Sequence, residues 1–241
     1  MKKTSLYLIV ILCVLCTGCT KKTINLQEYE ISLHKDEVYQ ISAPRMSHYN
    51  YQSLNKFHAT VSSEGLIVGH YVGETDIVVS NDYDEKRIHV TIEPTYLLYN
   101  EPQITFGESR NAIKARFGTP YQENNNAALF EYDREGFALM VTFDQNDRVV
   151  SYVVVVPNRY LSDLALFLYE RYQSNGSSGS YTHYYINALT ENEATLFVTL
   201  LPYNADLWFV MYEPFNRNEK FMVHTPSIDH ETKSALEALP W

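Results

Sequence analysis

Hydrophobic and polar residues alternate in short runs through the first half of this chain. From Leu26 to Ile92 the runs are YEISL, VYQIS, FHATVSS, LIVGHYV, TDIVVS and RIHVTIE, with polar residues between them. A period of two is typical of strands that bury one face. The pattern predicts a small β-sandwich over residues 25–95.

The pattern changes between residues 100 and 225, where one helix followed by three strands occurs twice. In the first unit, Ser109 can cap a helix in GESRNAIKARFGTP, and ALFEYD, FALMVTFD and RVVSYVVVV follow. In the second, a helix over 158–173 precedes SYTHYYINAL, EATLFVTLL and DLWFVMYE. One face of that helix is predicted to carry Leu161, Leu164, Ala165, Leu168, Tyr169 and Tyr172. The duplication predicts an antiparallel sheet with its helices on one face, so the fold class is mainly β with α+β.

Two strands of this second domain are apolar on both faces, VVSYVVVV and LWFVMY. One face can pack on the helices, so the other needs a cover. The cover is the first domain, the C-terminal segment, or a protein partner. In the last case the partner-binding residues are predicted to include Tyr152, Tyr184, Trp208 and Tyr212, since aromatic side chains often anchor interfaces. A slip of one residue in register would exchange the two faces.

The first 22 residues have the pattern of a secretory signal. Lys2 and Lys3 precede the apolar run LYLIVILCVL, which is half as long as the roughly 20 residues of a membrane-spanning helix. Thr17 and Gly18 then precede Cys19, which resembles the lipobox of bacterial lipoproteins, although Cys16 stands where that family usually has Leu.

The lipobox resemblance implies where the protein resides. Residues 1–18 would be a signal peptide, Cys19 would be acylated, and residues 19–24 would tether the domains to a membrane of the cell envelope, outside the cytoplasm. An uncleaved anchor helix and an ordinary signal peptide remain alternatives. Cleavage would leave Cys19 as the one cysteine, so the domains must fold without an intrachain disulfide.

Residues 58–92 resemble the bacterial Ig-like domains that occur as repeats in surface proteins. The matching positions are Val61, Ser62, Gly65, Val68, Gly69, Gly73, Thr75, Ile77 and Val79. The family's Trp strand is replaced here by HYNYQSLNKF, and the glycine of its opening turn is absent. The resemblance implies a spacer or adhesion module without catalysis.

The second domain carries a weaker resemblance. Its opening, FGESRNAIKARFGTP from Phe106 to Pro120, resembles the small lipoproteins of outer-membrane assembly, and the doubled arrangement is similar to the β-lactamase inhibitor proteins. Both resemblances imply a binding role without identifying a target.

Composition and motifs point away from most catalytic chemistry. Removal of residues 1–18 takes away two lysines and no acid, so the net charge changes from −10 to −12, and nucleic-acid binding is not expected. SNGSSGS (174–180) is predicted to be a flexible loop without a nucleophile elbow, and Asp229 is predicted to cap a helix in the C-terminal tail, residues 226–241. The eight histidines form no H-E-x-x-H motif. No catalytic residue, metal site or cofactor is predicted.

Three classes of function remain at this point. The first is a membrane-anchored, non-enzymatic lipoprotein that binds an envelope or extracellular protein. The second is a secreted hydrolase of glycan or peptide whose carboxylates meet only after folding, and the third is a structural spacer. An exposed aromatic patch would favour the first, and a pocket with convergent titratable groups the second.

Overall fold

The structure, a computed structural model, describes residues 23–43, 48–179 and 181–216. The predicted signal peptide (1–18), the lipidation residue Cys19 and the helix predicted after Asp229 all lie outside these ranges. The described chain is mainly β with two α-helices, which confirms the predicted fold class.

The first domain is built from seven strands in two sheets. They are β1 (Glu30–Leu33), β2 (Val38–Gln40), β3 (Asn50–Ser53), β4 (Ala59–Val61), β5 (Leu66–Gly69), β6 (Gly73–Ser80) and β7 (Glu85–Ile92). The strand order is β1-β7-β6-β3 in one sheet and β2-β5-β4 in the other. Alternate residues of both sheets, such as Ile67, Ile77 and Val90, are completely buried in one shared core. We call this domain the Ig-like module, a name taken only from the sequence resemblance of residues 58–92.

The second domain has one eight-stranded antiparallel sheet and two helices. Its elements are α1 (Arg110–Phe117), β8 (Gln122–Glu123), β9 (Ala127–Glu131), β10 (Ala138–Phe143), β11 (Val149–Pro157), α2 (Leu161–Arg171), β12 (Gln173–Ser178), β13 (Thr182–Ile186), β14 (Leu196–Pro202) and β15 (Leu207–Pro214). The strand order is β12-β13-β14-β15-β11-β10-β9-β8. The two helix-and-strand repeats therefore meet where β11 pairs with β15.

Each repeat has one strand more than the sequence predicted. The additional strands are β8 and β12, and β12 covers most of the segment predicted to be a flexible loop. That prediction was wrong for 174–178 because an edge strand needs only backbone hydrogen bonds to its neighbour. The ladder between β12 and β13 is irregular between Ser174 and Ser177, and Gly176 there has a φ of 104°, which suits a bulge.

Period-two alternation divides the large sheet into two apolar faces. The first face includes Val154 and Val210 and shares a core with α1 and α2, through Ile113 and Phe167. The apolar cluster of the second face consists of Leu129, Ala138, Met140, Val153, Val155, Leu201, Leu207, Phe209 and Met211. The two helices therefore cover one face of the sheet, as the duplication predicted.

The sequence predicted the start of α1 correctly and the buried face of α2 only in part. Ser109 Oγ accepts a hydrogen bond from the Ala112 amide at 3.3 Å, so the predicted cap of α1 is present. In α2 the buried stripe is rotated relative to the prediction. Phe167 is fully buried, whereas Tyr169 is 57 % exposed.

Candidate functional site

The four aromatic residues predicted to bind a partner are all buried, with exposures of 8 % or less. Tyr152, Trp208 and Tyr212 point to the first face, in the core that contains the helices. Tyr184 pairs with Thr199 on β14 and stacks on Phe197 at 5.6 Å. The expectation that they stand exposed is corrected, because the register turns three of them towards α1 and α2.

Several of these aromatics belong to a buried polar network on the first face. The hydroxyls of Tyr99 and Tyr212 are hydrogen-bonded at 2.7 Å. The Tyr152 and Tyr212 rings stack at 4.7 Å. Nearby, the Tyr172 hydroxyl donates to the Glu101 carboxylate, which also lies 3.5 Å from the Arg171 guanidinium. A chain of tyrosines thus leads from the sheet to an ion pair at its margin.

Burial dominates the electrostatics of this network. Desolvation raises the pKa of the Tyr99, Tyr172 and Tyr212 hydroxyls well above the ordinary value, so all three stay protonated. Desolvation also raises the pKa of the Glu101 carboxyl, against the opposing effects of the Tyr172 hydrogen bond and the Arg171 charge. Neutral hydroxyls bonded to one another are a structural arrangement and supply no nucleophile.

The neighbouring residue, Glu170, contacts both the Ig-like module and the connecting segment, residues 93–109 between β7 and α1. Its side chain is 2 % exposed, and its carboxylate accepts hydrogen bonds from the amides of Thr95 and Tyr96, both at 2.9 Å. The same carboxylate lies 2.5 Å from the Arg171 guanidinium. In addition, the amide of Val72 in the Ig-like module donates to the Glu170 carbonyl at 2.9 Å. Glu170 therefore binds the connecting segment through its side chain and the module through its backbone.

Side chains of the Ig-like module complete this contact. The Lys35 ammonium lies 3.9 Å from the centre of the Tyr71 ring and 4.7 Å from that of Tyr169 on α2. Tyr71 also donates from its hydroxyl to Gln173 at 2.5 Å. Partial burial lowers the pKa of Lys35. We refer to Lys35, Tyr71, Val72, Tyr169, Glu170 and Gln173 as the inter-domain interface.

Sequence reasoning did not find this interface. A signal was present, since Glu170 and Arg171 lie three and four residues after Phe167, where helical geometry places them beside a buried ring. Charged residues on a buried helical face need partners. The partners are distant in sequence, so the sequence alone did not identify them.

A groove beside α1 is lined by Arg110, Glu123, Asp144 and Asp147, among other residues. Its carboxylates are each held by a cation or by backbone amides. Asp147 lies 2.7 Å from the Arg110 guanidinium, and Glu123 lies 2.6 Å from the Lys114 ammonium. Asp144 accepts hydrogen bonds from backbone amides that follow it, which lowers its pKa. Within the described ranges, no three His, Cys, Asp or Glu residues are grouped so that they could hold a metal ion.

Neither α1 nor α2, the helices found in 23–43, 48–179 and 181–216, is long and apolar enough to cross a bilayer.

Comparison with known proteins gives no family assignment. No family model and no curated protein matches the chain. Among solved structures, domains 5–6 of the S-layer protein SbsC align with 81 % of this chain and 85 % of their own, at a TM-score of 0.26 and 13 % identity. Domains 4–9 of the surface layer protein SbsC align with 83 % of this chain and 28 % of their own, at a TM-score of 0.27 and 12 % identity. TM-scores this low do not establish a shared fold.

Proposed function

We propose that the protein is a non-enzymatic, lipid-anchored module of the cell envelope that holds its second domain in a fixed position for binding to another protein. The observation that carries this proposal is the pair of hydrogen bonds that the amides of Thr95 and Tyr96 donate to the Glu170 carboxylate. A buried charge that binds the connecting segment restricts rotation between the domains. Fixed orientation suits a module that must present a surface at a distance from its anchor.

The binding surface is assigned to exposed tyrosines, because the four aromatic residues predicted to bind a partner are buried in the sheet domain. Tyr83 follows β6 in the Ig-like module, Tyr121 precedes β8, and Tyr181 lies between β12 and β13. Because β8 and β12 are the two edge strands of the sheet, these tyrosines mark alternative binding surfaces. Their exposures are 64 %, 50 % and 64 %. Tyrosine is enriched at protein interfaces because its ring buries a large apolar area while its hydroxyl bonds to polar groups.

The hydrolase alternative has less support from the geometry. The groove carboxylates Asp147 and Glu123 are paired with cations, and Glu101 is bonded to Tyr172 and Arg171. General acid–base catalysis needs two groups that converge on a substrate position. These acids instead stabilise the turns and the connecting segment.

The lipid anchor can be tested with a pair of cysteine substitutions. Cys19→Ala is expected to release the protein from the membrane fraction and to abolish the mass added by lipid, because a lipoprotein's chains attach at that residue. Cys16→Ala, in the segment to be cleaved, is the matched control and should change neither. Unchanged membrane retention of Cys19→Ala, with no lipid mass on the unmodified protein, would refute the anchor.

The partner can be tested by affinity purification from the native envelope. The unmodified protein is expected to retain a defined envelope protein, and Tyr121→Ala or Tyr181→Ala is expected to weaken that retention at least tenfold. A Tyr-to-Ala change at a hot spot costs about 2 kcal/mol or more. Equal retention by both variants, or no retained protein at all, would contradict the binding role.

A further inference from the structure

The second face of the large sheet forms a largely apolar surface across six strands. Paired residues of neighbouring strands make one row over it: Tyr184, Thr199, Met211, Val153, Met140 and Leu129. A second row contains Leu201, Phe209, Val155 and Ala138. With about 4.8 Å between strands, the first row is about 24 Å wide.

This face is buried, although the described chain provides no element that lies over it. Val153 and Val155 are 0 % exposed, and Met140 and Met211 are 1 % and 2 % exposed. Within 23–43, 48–179 and 181–216, every residue of this cluster belongs to the sheet or to its turns. The side chains of α1 and α2 that enter a core do so on the first face. The Ig-like module likewise contributes none to the second.

We propose that the C-terminal segment of this chain, residues 217–241, is the cover of the second face. The segment follows β15, which ends at Pro214 and is a central strand of the sheet. Phe215 already packs beside Ile186 and Ala194, at the end of the sheet where the chain leaves it. The segment therefore begins next to the surface that requires a cover. This inference does not depend on the proposed function.

The length and composition of the segment fit this surface. It has 25 residues, among them Phe221, Val223, Ile228, Leu236 and Leu239. Its last part, HETKSALEAL, is predicted from sequence to be helical, and ten helical residues extend about 15 Å and are about 10 Å wide. A helix of that size, together with the residues that lead to it, is sufficient to cover the centre of two rows.

The two methionines on the second face make the proposal measurable. Oxidation of methionine by hydrogen peroxide depends on access to its sulfur. In the full chain, Met140 and Met211 are expected to oxidise slowly. In a variant that ends at Asn216 they are expected to oxidise at least tenfold faster, as followed by peptide mass spectrometry, with circular dichroism as the check on folding.

A pair of full-length variants keeps the test valid if the shortened chain does not fold. Leu236→Asp places a charge on the predicted apolar side of the tail and should also accelerate the oxidation of Met140 and Met211. Ser234→Asp adds the same charge on the opposite side of the predicted helix and should not.

A photoreactive leucine analogue at position 236 provides direct evidence of contact in the intact chain. It is expected to cross-link to peptides that contain β10, β11 or β15. The proposal is overturned if the cross-links fall only in the Ig-like module, or if both methionines stay protected in the shortened and Leu236→Asp chains. Protection that disappears on dilution of the full chain would show that a second copy is the cover, and would also overturn it.

Discussion

At the residue scale, the hydrogen bond between the Tyr99 and Tyr212 hydroxyls is a contact whose energy can be isolated. Both side chains are buried, and the oxygens are 2.7 Å apart. Removing one hydroxyl leaves the other without this partner, which costs about 1–3 kcal/mol, whereas removing both is nearly neutral by comparison. We expect Tyr99→Phe and Tyr212→Phe each to lower the free energy of unfolding by that amount, and the double variant to lose less than their sum.

A double-mutant cycle in urea measures this coupling. Tyr29→Phe, at a residue 48 % exposed, is the control and should change stability by less than about 0.5 kcal/mol. Strict additivity of the two buried substitutions would contradict the hydrogen bond.

Also at the residue scale, the Glu101 carboxyl should make the free energy of unfolding depend on pH, with a sign that follows from its pKa. Burial raises the pKa of its carboxyl above 4.5 in the folded state, so the folded protein binds that proton more tightly than the unfolded chain. This contribution to stability is complete below the ordinary pKa and is lost as pH rises through the folded value. The unfolding free energy of Glu101→Gln, relative to the unmodified protein, should therefore increase between about pH 4 and about pH 7.

Glu108 provides a control with the opposite sign. A hydrogen bond from Arg116 lowers the pKa of its carboxyl below 4.5, so its contribution is present above the ordinary value and is lost as pH falls. Glu108→Gln should therefore lose stability relative to the unmodified protein as pH rises from about 3 to about 7. Chemical denaturation at several pH values measures both trends. Parallel trends for the two variants would show that the assigned environment of Glu101 is wrong.

At the element scale, the start of β6 depends on Gly73. Its φ is 136°, and a Cβ atom there would lie 2.3 Å from Cε1 of the His58 ring. Gly118 also has a positive φ, 86°, but a Cβ atom there would meet nothing within 4 Å. We expect Gly118→Ala to cost about 1–3 kcal/mol of backbone strain, and Gly73→Ala to cost about 1–3 kcal/mol more because of the collision. Equal losses of stability in thermal denaturation would contradict the role of the His58 contact.

Elements were the part of the fold that the sequence predicted best. Alternating runs located the strands of both domains, and Ser109 marked the start of α1, because period and capping are local properties. The face that a strand residue occupies is a different problem. Tyr152 and Val153 are both apolar, so a period of two cannot decide which of them meets the helices, and the choice depends on pairing with distant strands.

The sequence did not predict strands β8 and β12 or the inter-domain interface, and the physical reasons are related. β12 has the composition of a loop, and it becomes a strand only because β13 lies beside it. Glu170 is an ordinary acid in the sequence until the fold brings the amides of Thr95 and Tyr96 to it. Contacts between residues more than 70 positions apart leave no local pattern from which they could be predicted.

At the scale of the whole molecule, the inter-domain interface predicts that the two domains unfold together. Glu170 is buried and bonded to the connecting segment, and removing one partner from a buried ion pair costs about 3–5 kcal/mol. The interface also holds Lys35 between two rings. Scanning calorimetry of the unmodified protein should therefore show one transition. Glu170→Gln should separate it into two, because each domain retains its own core while the connecting segment loses the carboxylate that fixes it to α2.

The controls for this prediction separate coupling from general loss of stability. Glu135→Gln alters an exposed acid of the β9–β10 turn and should leave a single transition at nearly the same temperature. Lys35→Gln removes a charge that interacts with Tyr71 and Tyr169 at a cost of about 1–2 kcal/mol, and should broaden or split the transition less than Glu170→Gln. Two transitions in the unmodified protein, or one unchanged transition in Glu170→Gln, would contradict the coupling. Either result would also remove the support for the proposed function, because that function requires a fixed orientation of the second domain.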